Sequence, residues 1–225
     1  FGAGVQVTAA VAPWEEAKLR LLNGAHSGIA YLGGLAGIDH VHEVLTLPEA
    51  RAFVEALWDE ADATLTPPPE LDVAAYRRDL MARFDNPTLR HRTRQIAMDG
   101  SQKLPQRLLA PIAARLEEGQ GVAALSLAVA AWIRWQAGVD DQGAGHVVDD
   151  PLARPIAEAL SGASDSRGRV DAILALGAIV PPKLAEHAAW RETLTKWLRV
   201  LETHGARAAL AKLRSEKDAA PVVVS

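Results

Sequence analysis

The chain contains no cysteine, which excludes disulfides, thiolate-ligated zinc, iron–sulfur clusters and cysteine nucleophiles together. An oxidising compartment is therefore not called for, and a cytoplasmic location is the expectation. Charge of one sign is not in excess either. Lys and Arg number 24 against 28 Asp and Glu, a formal charge of −4, so neither nucleic acid nor an anionic membrane is an expected partner. Long hydrophobic runs are missing. The most apolar stretch, Val122 to Ile133, is interrupted by Ser126 and followed at once by Arg134. A bilayer span takes about 20 apolar residues, so this stretch reads as a buried helix. The strict apolar–polar alternation of a half-buried strand is absent apart from Val5-Gln-Val-Thr8. No G-x-S-x-G nucleophile elbow occurs. The first residue is Phe1, and no basic-then-apolar leader follows it. The chain therefore reads as a piece of a longer protein.

What the sequence does have is helix punctuation. Ala and Leu dominate, both strong helix formers. Pro13 suits the first turn of a helix running through Trp14 to Leu22. Asn23-Gly24 is a turn signal, but the apolar pattern resumes through Ile29, Ala30 and Leu32, so a continuing helix is the other reading. Thr46-Leu-Pro-Glu49 has capping-box spacing and predicts a helix carrying Phe53, Val54, Leu57 and Trp58 on one face. Pro67-Pro-Pro69 ends that section, and Asp72 should cap a helix with Tyr76, Leu80 and Phe84. Another helix is expected from Asn86-Pro87 to Met98, then a break at Asp99-Gly-Ser101, then helices over Leu104–Leu116 and Val122–Ala137. Gly138 to Asp150 reads as a solvated, acidic surface loop. Pro151–Leu160 and Arg169–Leu176 are short helices. Pro181-Pro182 opens a long helix through Leu201, and Ala206–Leu213 forms the last one. The expected class is all-α, in a single multi-helical domain spanning 1–225.

One segment carries chemistry. Lys18-Leu-Arg-Leu-Leu-Asn23-Gly-Ala-His26-Ser27 sets an amine, a carboxamide and an imidazole at i, i+5 and i+8. On a regular α-helix these fall within an arc of about 140°. Oxidising a secondary alcohol requires a base for the hydroxyl proton and hydrogen-bond partners for the oxygen left behind. A lysine amine serves when burial or a neighbouring cation lowers its pKa. Asn donates an N–H, and neutral His donates or accepts. Spacing alone favours the plainer reading, a surface lysine, an Asn-Gly turn and an ordinary histidine.

The same residues resemble the K-x-x-x-x-N-x-x-H signature of the polyol-specific long-chain dehydrogenases, a family of mannitol 2-dehydrogenases and hexuronate reductases. Further blocks resemble the family in order: His42-Glu43, Tyr76-Arg77, Arg83-Phe-Asp-Asn86-Pro87, and Ile96-Ala-Met-Asp99-Gly-Ser-Gln-Lys103-Leu-Pro105. The resemblance covers at least residues 11 to 115. It implies a helical domain like the C-terminal domain of phosphogluconate dehydrogenase-like enzymes. It also implies a metal-independent reaction that interconverts a sugar alcohol and its ketose, or an aldonate and its hexuronate. Lys18 would be general acid/base, Asn23 and His26 would hold the reacting oxygen, and Lys103 would contact substrate hydroxyls. Where mannitol dehydrogenases carry an arginine eight residues before that lysine, this chain has Gln95, with Arg94 adjacent. That departure leaves the choice of polyol or uronate open.

The cofactor implied is NAD or NADP, bound mainly by an N-terminal Rossmann domain. This chain has no strand followed by G-x-G-x-x-G. Phe1-Gly-Ala-Gly4 fails because Val7 stands where the third glycine would be. Three weaker signals remain. Asp39-His40-Val-His42-Glu43 and the acidic loop with His146 invite a metal reading, but the spacing supports none and no metal is expected. Arg90-His-Arg-Thr-Arg94 reads as a solvated basic face, with cofactor phosphate or a substrate carboxylate as the lesser reading. Trp132 and Trp135 read as core or interface residues. The competing function is a non-catalytic helical interaction module, which would leave Lys18, Asn23 and His26 on separate surfaces.

Overall fold

The computed structural model describes residues 11–219. The Val5–Thr8 strand expectation and the terminal Pro221–Ser225 lie outside them. Within that range the chain is helical, and pairing is limited to isolated bridges.

The chain's opening is one continuous rod. α1 (Val11–Ala17) passes through a π-helical turn, π1 (Lys18–Asn23), directly into α2 (Gly24–Leu35). Asn23-Gly24 does not turn the chain. Instead the Gly24 N–H donates to the Leu19 carbonyl five residues back, the π pattern. A π turn leaves backbone groups without regular partners, and here other side chains supply them. The indole N–H of Trp58, fully buried, donates to the Leu21 carbonyl at 2.8 Å. Arg20 donates to the carbonyl and hydroxyl of Thr64 at 2.5 and 2.7 Å and pairs with Glu16. The sequence of α4 (Pro48–Asp62) thus fixes the irregularity in the first rod.

α4 presents Phe53, Val54, Leu57 and Trp58 to the core as the periodicity predicts. The capping box expected at Thr46–Glu49 does not form. Leu47 is the N-cap and Pro48 takes N1, while the Thr46 hydroxyl donates back to the Glu43 carbonyl in the short α3 (Val41–Val44) at 2.7 Å. α5 (Val73–Phe84) starts as expected, with the Asp72 carboxylate accepting from Ala75 N. Arg77 clamps it to α4 through Glu55 and Asp59 at 2.7 Å each and lies 5.5 Å over the Trp58 ring.

The single helix expected from Asn86 to Met98 is replaced by three pieces. Pro87–Leu89 is a 3-10 turn, Arg90 is left-handed, and only Thr93–Ile96 (α6) is helical. Between them the backbone is drawn out to pair with the 39–41 segment. Val41 N donates to His91 O and Thr93 N to Asp39 O. Asp99, also left-handed, makes the expected break.

The next helix starts at Gly100 rather than Leu104. α7 (Gly100–Leu104) leads into a second π turn, π2 (Pro105–Leu109), and α8 (Ala110–Glu117). Pro111 has no N–H for the Arg107 carbonyl four residues earlier, and Ala110 N bonds the Pro105 carbonyl instead.

α9 (Ala123–Trp135) is buried on nearly every side and packs between α2 and α13 (Ala188–Ala219). Trp132 and Trp135 are core residues. Val122 offers α9 no side-chain cap; Glu60 of α4 does the work from across the core, its two oxygens accepting from Ala124 N and Leu125 N at 2.9 Å each. α10 (Ala153–Ser161) and α11 (Ser166–Leu174, capped by Asp165) follow. The long helix expected from Pro181 is divided. α12 (Pro182–Ala185) is a separate turn, and α13 begins only at Ala188. Inside α13, Gly205 (φ 78°, ψ 175°) breaks the helix just before Ala206.

The 138–150 segment is not simply solvated. Asp140 is buried and accepts from Gln142 N and Ala144 N; Asp141 accepts from Ala206 N at the α13 break; Asp150 accepts from Ser101 and Leu152. These carboxylates replace missing caps. No group of three or more His, Asp or Glu is placed to hold a metal ion among the described residues, and no described helix is long and apolar enough to cross a membrane.

Candidate active site

Lys18 opens π1 and is exposed. It lines a groove of about 450 Å³ with Trp14, Ala17, Leu71, Ala75, Tyr76 and Asp79 among its walls. Asn23, half-buried, closes π1, and His26 follows one turn into α2. Neither lines the Lys18 groove. The π turn matters to their alignment, because its i→i+5 hydrogen-bonding brings residues five apart toward register, where a regular α-helix separates them by about 140°. Lys18 faces the first half of α5, and His26 faces its end: its ring lies 4.6 Å from Phe84 and 5.6 Å, edge-on, from His91. All along α5, then, the rod presents the amine and the imidazole on one side, about 12 Å apart along the axis at 1.5 Å per residue.

His26 is the chemically informative group. Its Nε2 is buried and has no hydrogen-bond partner. An orphaned buried nitrogen costs stability unless something binds it. Burial pushes the imidazole down to about 4, and the neighbouring His91 ring and the Arg83 and Arg107 guanidiniums add to the shift. At neutral pH the ring is therefore uncharged and can donate to, or accept from, a ligand oxygen.

Lys103 sits on α7 and reaches back over the 96–99 corner. It donates to the Met98 carbonyl at 2.5 Å and lies 3.4 Å from the Ile96 carbonyl and 3.7 Å from Asp99. Burial, followed by the neighbouring Arg107 cation, lowers its pKa. Gln95 and Arg94 are exposed on α6. Gln95 makes no side-chain hydrogen bond to Lys103; the backbone of its neighbour Ile96 does. Arg94 instead lines a separate recess with Asp39, His40 and Arg92, so the structure does not group it with Lys103.

Sequence reasoning did not single out Arg107. It lies on π2, half-buried, and donates to the Ser27 hydroxyl at 3.2 Å, next to His26. Adding a Cβ at Gly24 would place it 3.1 Å from the Arg107 carbonyl, so the two π turns meet closely here. The available signal was its i, i+4 spacing from Lys103.

The rod thus carries an amine in one groove and, further along, a half-buried carboxamide and an unpartnered neutral imidazole outside that groove. The chain belongs to the family described as the mannitol dehydrogenase C-terminal domain, whose model matches residues 10–201. It is 42% identical to the D-mannonate oxidoreductase of Escherichia coli over 93% of this chain and 43% of that protein. A mannitol 2-dehydrogenase of Pyrenophora tritici-repentis is 40% identical over 68% of this chain and 28% of its own length. Among solved structures, the Pseudomonas fluorescens mannitol 2-dehydrogenase in ternary complex with NAD and D-mannitol superposes with a TM-score of 0.89. It is 29% identical and is matched over 95% of this chain and 43% of that one. The chain thus spans less than half the length of these relatives.

Proposed function

We propose that this chain is the substrate-binding and catalytic half of a metal-independent NAD(P)-dependent dehydrogenase. The enzyme would reversibly oxidise a secondary alcohol of a sugar alcohol or an aldonate. Family membership and the relatives' names support the reaction class. The observation that carries the site is the unpartnered, neutral His26 Nε2 on the same rod as Lys18 and Asn23.

The described residues contain no sheet and no glycine-rich strand–helix turn to cradle a dinucleotide. They do not fit the cofactor by themselves, and we assign its binding to a separate domain that this chain does not include. The chain's own residues handle the proton and the oxygen. In the oxidising direction Lys18, as free amine, takes the hydroxyl proton; in the reducing direction its ammonium returns a proton to the carbonyl oxygen. Asn23 donates to that oxygen, and uncharged His26 holds it without competing for the proton at neutral pH.

Lys18→Ala in the full-length enzyme tests the reading. Turnover should fall by about 10²- to 10⁴-fold, with substrate binding changed far less. Unchanged turnover refutes the role. The isolated chain, supplied with NAD(H) or NADP(H) and polyols, is expected to fold but not to turn over.

A further inference from the structure

The lysine and arginine cations near the uncharged His26 differ in how they are compensated. Lys103 has Asp99 and two carbonyls. Arg77 has three carboxylates. Arg107 has no carboxylate among the described residues, only the neutral Ser27 hydroxyl. A guanidinium carries five N–H donors, and a half-buried one without an anion is a poor arrangement unless a ligand completes it.

Its position is specific. Ser27 ties it to the residue beside His26, and Lys103 stands one turn earlier on the same continuous helix. Two fixed cations, Arg83 and Arg107, bear on His26, and no carboxylate does. A neutral polyol offers such a site nothing to match its charge. A sugar acid offers a carboxylate a few bonds from the reacting carbon, and the planar guanidinium fork is suited to bind it through two parallel hydrogen bonds.

We propose that Arg107 binds the carboxylate of an aldonate or hexuronate, making sugar acids rather than uncharged polyols the preferred substrates of this site. The proposal rests on the reading that Lys18, Asn23 and His26 serve the reacting oxygen, and it adds the group that recognises the other end of the substrate.

The test compares D-mannonate with D-mannitol in the full-length enzyme and its Arg107→Met and Arg107→Lys variants. The wild type should favour D-mannonate in kcat/KM. In Arg107→Met the ratio of mannonate to mannitol kcat/KM should fall by about 10- to 100-fold, the range of a hydrogen-bonded charged pair. The loss on mannonate should lie mainly in KM, as expected for a remote binding group. Arg107→Lys, which keeps the charge without the fork, should fall between, and it decides the matter if the Met variant does not fold. A wild type that prefers mannitol, or a ratio unchanged in both variants, overturns the proposal. Lys18→Ala run alongside separates the two ideas. Retained turnover there, with the Arg107 ratio still shifted, would sink the Lys18 assignment and leave the carboxylate site standing. A wild type that turns over neither substrate fails both.

Discussion

Replacing Trp58 with Phe tests the link between the core and the π turn. The indole is fully buried, and its N–H satisfies the Leu21 carbonyl inside π1. Phenylalanine retains a ring against Phe84, 6.1 Å away, and against Arg77, but it has no donor. A buried carbonyl left unsatisfied costs about 1–3 kcal/mol. The smaller ring leaves a void worth roughly 1 kcal/mol more at about 24 cal/mol per Å³. The sum, about 2–4 kcal/mol, should lower the urea midpoint at constant m and drop Tm by roughly 5–15 °C for a domain this size. A functional loss should accompany it. If π1 relaxes toward regular helix, Lys18 rotates away from Asn23 and His26 by about one residue's turn, roughly 100°. Turnover of the full-length enzyme should then fall even at temperatures where the variant is fully folded. A stability change below about 0.5 kcal/mol with normal turnover would refute the claim that Trp58 holds the π turn.

Two further perturbations address the long-range caps. Glu60→Ala leaves two α9 amides without their acceptors and should cost about 2–5 kcal/mol by chemical denaturation. Burial pushes the Glu60 carboxyl up to about 7, so between the ordinary carboxylate range and pH 7 the folded state binds more protons than the unfolded one. Glu60 therefore makes stability fall as pH rises through that window, and the pH–stability slope there should flatten in the variant. Gly205→Ala forces a side chain into a backbone region suited to glycine and to within 2.8 Å of Asp141 Oδ2. A loss of about 1–3 kcal/mol is expected in thermal or urea melts, and a neutral outcome would mean the helix break is not fixed there. His26 should titrate near 4 by NMR; a value near 6.5 would show that it is neither buried nor held among cations.

Much of the helical frame was legible because local rules and tertiary packing agree. Asp72 caps α5, the face Phe53–Trp58 is buried, and the Asp99–Ser101 corner breaks where glycine and aspartate say it should. The failures share a cause: a distant partner overrides the local signal. Residues 90–93 look helical until the 39–41 backbone offers them hydrogen bonds. Thr46 spends its hydroxyl on the preceding helix. The carboxylates of 140, 141 and 150 look solvated because the amides they accept from lie in other segments or in their own tight turn. The π turns were invisible to a 100° template, since Leu19, Leu21 and Leu22 fit either geometry. At the site, the Lys18, Asn23 and His26 pattern was readable, but Arg107 shows itself only when π2 is packed against the first rod.

A π turn is an ordinary turn with one residue to spare. Removing a single position between Lys18 and Asn23 would therefore let α1 and α2 join as plain helix. Everything after Gly24 could stay seated in its present packing. Lys18 and Asn23 would then stand four residues apart, about 40° from each other around a plain helix, so the scaffold and their shared face would both survive such a loss. What the extra residue brings is the local geometry in which the Trp58 indole binds the Leu21 carbonyl, and that tie between core and rod is what a one-residue deletion would put at stake.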